Sequence, residues 1–172
     1  MKRTVLSWSL IAMLAGAGCY AADVAAPTQT AAQAQAVAGT NLIECPASTA
    51  SQSAAVVTPL GGVVLSGGTS ISIPAGAVLV PTTIIVTVPA SQYMEVDISV
   101  PGIEHFLFEL PVTVTVSYAR CQRADINRTP LTAWHIDTST KALLEAMGGV
   151  DDKLARSVTF TTPHLSGYAL AN

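Results

Sequence analysis

From Val56 onward, short runs of β-branched and apolar residues alternate with glycine and proline punctuation, the pattern of strands and tight turns. Met94 to Val100 alternates cleanly, with Met94, Val96, Ile98 and Val100 on one face and Glu95, Asp97 and Ser99 on the other. Period two with one apolar face predicts a half-buried strand. Val112 to Tyr118 does the same, with Val112, Val114, Val116 and Tyr118 against Thr113, Thr115 and Ser117. Thr82 to Val88, Leu131 to Asp137, Ser157 to Thr161 and Gly167 to Leu170 read as further strands. His105 to Leu110 is another, separated from Val112 to Tyr118 by Pro111. Val63 to Ser66 and Thr69 to Ile73 flank Gly67-Gly68, a tight hairpin. Pro101-Gly102 reads as a turn. Thr140 to Met147 has helical propensity, but a helix of two turns is marginal alone. Its all-strand surroundings predict a hairpin partner for Leu131 to Asp137. About ten short strands in such a length predict an all-β domain over residues 55–172, an antiparallel two-layer β-sandwich or Greek-key barrel.

The pattern is absent before that. Residues 19–54 are low-complexity, and Tyr20 to Thr40 is mainly alanine, glutamine and threonine. Such a segment cannot bury enough apolar surface to offset its ordering entropy. It reads as a tether, with Asn41 to Cys45 the first stretch able to dock on the domain. Residues 1–18 read as a signal peptide, with Lys2 and Arg3 ahead of the mostly apolar Val5 to Ala17. That run is shorter than the roughly 20 residues a membrane span needs. Gly16-Ala17-Gly18-Cys19 resembles a bacterial lipoprotein signal, although Gly16 stands where that signal usually has leucine. The resemblance implies that Cys19 is acylated and anchors the chain to the cell envelope. The alternative is cleavage after Ala17 or Ala21 and a soluble secreted or periplasmic protein.

The three cysteines, Cys19, Cys45 and Cys121, fit that address. With Cys19 lipidated, Cys45 and Cys121 remain to pair in an oxidising compartment; two free buried thiols are the alternative. Without Lys2 and Arg3, six basic residues face eleven acidic ones, a net charge near −5. An acidic chain with no basic stripe argues against nucleic acid and against anionic lipid head groups as partners.

Three stretches carry a resemblance over the whole of Val56 to Leu170. They are Gly61-Gly62-Val63-Val64-Leu65 with Ile71-Ser72-Ile73-Pro74-Ala75-Gly76-Ala77-Val78; Phe106-Leu107-Phe108-Glu109-Leu110-Pro111-Val112-Thr113-Val114-Thr115-Val116; and Val158-Thr159-Phe160-Thr161-Thr162-Pro163-His164-Leu165-Ser166-Gly167-Tyr168. In that order they resemble the ZU-five domain, the β-sandwich shared by zona-occludens proteins, ankyrins and netrin receptors. Ala75 stands where the family often has a second proline, and Leu165 where it commonly has phenylalanine. The resemblance implies a non-enzymatic interaction or structural module with a protein or glycan partner at the cell surface. In the Ile-Pro-x-Gly-Ala motif, Pro74 stops a strand, Gly76 permits a positive φ, and Ala77 and Val78 tuck under the sheet.

The triplet His164-Leu165-Ser166 resembles the site at which some extracellular β-sandwiches cut their own backbone once. The resemblance implies Ser166 as nucleophile, His164 as the group that polarises or deprotonates it, and the Leu165 carbonyl as the point of attack. Pro163 stiffens the entry, and Gly167 permits a bend. The alternative is that His164 and Ser166 satisfy backbone groups in an ordinary strand.

Other chemistry finds little support. Gly61-Gly62, Gly67-Gly68 and Gly148-Gly149 do not lead from a strand into a helix, as a phosphate cradle requires. No Gly-x-Ser-x-Gly elbow is present. His105, His135 and His164 show no metal-ligand spacing, so no metal or cofactor is expected. Asp151-Asp152 reads as a solvated turn, Asn127-Arg128-Thr129 as a chance glycan acceptor, and Trp134 as a core residue. No convergent set for a turnover enzyme can be named.

Overall fold

The structure, a computed structural model, describes residues 41–172. The signal at 1–18, Cys19 and the tether up to residue 40 lie outside the described residues. Eleven strands follow in order: β1 (Ser51–Val57), β2 (Gly62–Ser66), β3 (Thr69–Ile73), β4 (Thr82–Val88), β5 (Glu95–Ser99), β6 (Leu107–Ser117), β7 (Thr132–Ile136), β8 (Leu143–Gly148), β9 (Val150–Asp152), β10 (Ser157–His164) and β11 (Gly167–Ala171). They form two antiparallel sheets, one ordered β1-β4-β5-β11-β7-β8 and the other β2-β3-β6-β10-β9. The sheets do not close on each other, so the domain is a β-sandwich and not a barrel. Among the described residues no helix is long and apolar enough to cross a membrane.

The alternation read in the sequence becomes the two inner faces. Val96 and Ile98 of β5, Val112, Val114 and Val116 of β6, and Val158 and Phe160 of β10 are all buried. Each buried aliphatic or aromatic side chain of this kind contributes roughly 1.5–3 kcal/mol. Gly67 and Gly68 take φ of 54° and 84° between β2 and β3, the left-handed conformation a two-residue hairpin needs. The stretch with helical propensity pairs instead with β7 as β8. Tertiary pairing overrides propensity there, because two helical turns would leave the β7 edge open and bury nothing. Trp134 departs from expectation: it is half-buried, shares the outer face with Ala169, and donates its Nε1–H to Thr132 Oγ1 at 3.0 Å.

Pro111 does not separate the strands read at His105 to Leu110 and Val112 to Tyr118, because β6 runs through it from Leu107 to Ser117. Its position explains this. β3 pairs with β6 only from Thr113 to Val116. On the other side, Thr162 lies opposite Val112 but His164 lies opposite Leu107, so the register breaks at a bulge. Pro111 and Pro163 both sit where ladder hydrogen bonds are missing, where proline is tolerated.

The ordered body begins earlier than composition suggests. β1 starts at Ser51, and residues 41–48 lie along the sheet as a strap. Leu42 bridges Ala171, Glu44 bridges Tyr93, and Ile43 N–H donates to Leu170 O at 3.0 Å. Small polar residues suffice here because the strap is held by backbone hydrogen bonds and covalently, rather than by side-chain burial. Cys45 and Cys121 form a disulfide with Cα atoms 5.0 Å apart. The Arg120 guanidinium donates to the carbonyls of Pro46, Ser91 and Tyr93 at 2.6, 3.0 and 2.6 Å. Asp151, read as a solvated turn, instead accepts from Tyr118 Oη at 2.7 Å and Leu131 N–H at 2.8 Å and pairs with Lys153 at 2.6 Å. Burial, and then the hydrogen bond to that carboxylate, push the Tyr118 phenol well up.

The bridge closes a loop of 76 residues. Replacing Cys45 and Cys121 together by serine is expected to lower the free energy of unfolding by about 2–4 kcal/mol, measured by urea denaturation at neutral pH. An unchanged midpoint and slope would show that the strap is held without the bridge.

Candidate functional site

β10 and β11 are consecutive in sequence but belong to opposite sheets. The chain therefore crosses the sandwich within Leu165 and Ser166. Two rows of inward-facing side chains meet at this crossing. On β10 the inner row runs Val158, Phe160, Thr162 and His164, apolar at one end and polar at the other. Across the six-stranded sheet, registered neighbours run Val96, Tyr168, His135 and Glu145. Glu145 lies on β8, the last strand, so this row ends at the rim. His164 and His135, near the polar ends of these rows, line a cleft of about 670 Å³ together with Asp97, Ile103, Phe106, Leu107 and Leu144.

Tyr168 organises the buried side. It is fully buried, and its hydroxyl donates to the His164 carbonyl at 2.6 Å. That uses the phenol's one proton. Its oxygen lies 3.1 Å from His164 Nδ1 and 2.9 Å from Thr162 Oγ1. The network thus assigns the Nδ1 proton to His164 and leaves Nε2 with a free lone pair. Burial pushes the Tyr168 phenol up to about 12, so it stays a neutral donor.

Ser166 meets a different histidine from the one its neighbourhood in sequence suggests. Its Oγ is 2.7 Å from His135 Nε2, whereas the His164 ring is held by Tyr168. The two imidazoles face each other with centroids 5.3 Å apart. Burial, and then the neighbouring His164, hold the His135 pKa below the ordinary imidazole value, which favours its neutral, proton-accepting form. The Leu165–Ser166 peptide is braced from both sheets. Leu165 N–H donates to Phe106 O at 3.1 Å, and Ile98 N–H donates to Ser166 O at 3.1 Å. Gly167 has no left-handed φ; its missing side chain instead leaves room for the Thr138 methyl.

The triplet His164-Leu165-Ser166 is therefore assembled at one corner, with His135, Glu145 and Tyr168 added by the fold. His135 carried no local signal, since its partners arrive from β10 and β11. His105 lines the same cleft outside this network. Cys45 and Cys121 lie with the strap and its disulfide, in a structural role. No protein family model matches the chain, and no curated protein matches it in sequence.

Tyr168→Phe keeps the ring but leaves the His164 carbonyl and Thr162 with fewer partners in a buried place. It is expected to cost about 1–3 kcal/mol, read as a lower urea midpoint with an unchanged slope. A variant as stable as the wild type would mean that the hydroxyl network carries no net energy.

Proposed function

We propose that this chain is an exported, ZU-five-like module, held at the bacterial cell envelope by an acylated Cys19, that acts without turnover by binding a protein partner. The observation that carries this reading is the cleft at the sheet crossing. Leu107, Ile103 and Leu144 stand 70%, 48% and 42% exposed around it. Clustered apolar side chains rimmed by polar groups mark interaction sites. A glycan is the less fitting partner, because sugars stack on open aromatic faces and Phe106 is partly buried. The disulfide supports an oxidising compartment. A photo-crosslinking residue at Leu107 is expected to give one discrete adduct in native envelopes, lost when Leu144→Asp is added. Cys19→Ala is expected to move the protein out of the membrane fraction. A diffuse adduct pattern insensitive to Leu144→Asp would overturn the binding reading, and a fully soluble wild type the anchor.

A second reading rests on the 2.7 Å contact between Ser166 Oγ and His135 Nε2. In it the domain cleaves itself once between Leu165 and Ser166. Ser166 Oγ bonds to the Leu165 carbonyl carbon as the Leu165–Ser166 C–N bond breaks. His135 takes the hydroxyl proton and returns it to the freed Ser166 amine. Water then adds to the ester, leaving a Leu165 carboxylate and regenerating the serine hydroxyl. The released segment would stay in place, because β11 is paired on both sides by β5 and β7. The roles implied for His164 pass to His135 in this geometry, with His164 and Tyr168 bracing the turn. Denaturing mass spectrometry is expected to show a chain ending at Leu165 that Ser166→Ala abolishes, with His135→Ala slowing its appearance roughly 100-fold or more. An intact mass extending to Asn172 in aged wild-type protein would reject this reading.

A further inference from the structure

We infer that His135, Glu145 and His164 form a binding site for one divalent transition-metal ion of the zinc class. One ligand atom from each residue lies within 4.8 Å of the other two. Two imidazoles and a carboxylate are a common ligand set for such ions. A single carboxylate and two nitrogens disfavour calcium and magnesium, which require oxygen ligands.

The placement argues for more than chance proximity. His135 and His164 occupy inward-facing positions of a sandwich, where apolar side chains normally meet. His164 ends the inner row that begins with Val158 and Phe160, and His135 stands in register with the fully buried Tyr168. Two partly buried imidazoles facing each other fill that space less well than leucine would, unless they share a ligand. The three residues also come from three strands in both sheets, so an ion there would tie the sheets together at the rim.

Each ring is already oriented from behind. Tyr168 Oη holds His164 through Nδ1 at 3.1 Å, which leaves Nε2 as the ligating atom. Ser166 Oγ lies 2.7 Å from Nε2 of His135. A hydrogen bond on the non-ligating nitrogen is the usual support for a metal-bound histidine. Glu145 is exposed on the edge strand, so its carboxylate has the freedom to close the remaining distance. Three protein ligands would leave a fourth position for solvent.

This inference does not rest on the binding or self-cleavage readings. The test titrates the full chain, freed of any polyhistidine tag, with Co²⁺ and follows its visible absorption, then displaces it with Zn²⁺. One equivalent is expected to bind with the intense bands of a four-coordinate site and to raise the melting temperature. His135→Ala and His164→Ala are each expected to weaken binding at least 100-fold, and Glu145→Gln about 10-fold. Circular dichroism of each apo variant checks that it folds. His105→Ala, in the same cleft, is expected to keep the site, and Ser166→Ala, which removes the support of the His135 ring, is expected to weaken binding about 10-fold. Absence of stoichiometric binding by the wild type, or equal affinity in folded His135→Ala and wild type, would overturn the inference. Loss on His105→Ala with retention in His164→Ala would do the same.

Discussion

The arrangement depends on one constraint, the passage of the chain from one sheet to the other between β10 and β11. Two consecutive strands in opposite sheets leave Leu165 and Ser166 to span the sandwich, with no room for a loop. The backbone is satisfied from both sides by Phe106 and Ile98. Buried backbone groups must find partners, so the crossing can sit only where both sheets offer a spare donor or acceptor. The β6–β10 ladder shifts register at Pro111 and Pro163 and resumes at Leu107 and His164, which brings Phe106 alongside Leu165 at the crossing.

The same crossing puts β11 between β5 and β7, where all five of its residues are buried. A C-terminal strand in the middle of a sheet is secured by its neighbours on both edges. The strap then covers its end through Leu42 and Ile43, and the disulfide ties that strap to Cys121. The domain is thus closed at one end by covalent and backbone links together with the adjoining Asp151 cluster around Tyr118, whose carbonyl accepts from Cys121 N–H. The remaining corner, at the crossing, is where polar side chains face inward and the cleft opens.

Chemistry at that corner follows from burial. Tyr168 keeps its proton and spends it on the His164 carbonyl, which sets the tautomer of His164. His135 is kept neutral by its surroundings and so offers a lone pair. Two imidazoles with a carboxylate at their margin suit either a proton acceptor for Ser166 or ligands for an ion. A base for Ser166 needs the lone pair on His135 Nε2, whereas an ion held through Nδ1 needs the proton there, so the two uses require opposite tautomers and exclude each other.

The periodicity alone was enough for the fold class, because alternation in Met94–Val100 and Val112–Tyr118 reports a sheet with one buried face wherever the strands pair. It also supplied the Gly67-Gly68 hairpin, where only glycine takes the required φ without strain. Cysteine counting left Cys45 and Cys121 either to pair or to stay as buried thiols, and the structure joins them. Three matters were decided only in three dimensions. Pro111 reads as a break, yet its missing N–H falls where no ladder bond is needed. Residues 41–54 read as a tether, yet backbone pairing and a disulfide fasten them. Above all, Ser166 has His164 two positions away in the chain and His135 beside it in space, because β11 lies next to β7. Strand order is set by long-range packing, which no local pattern records.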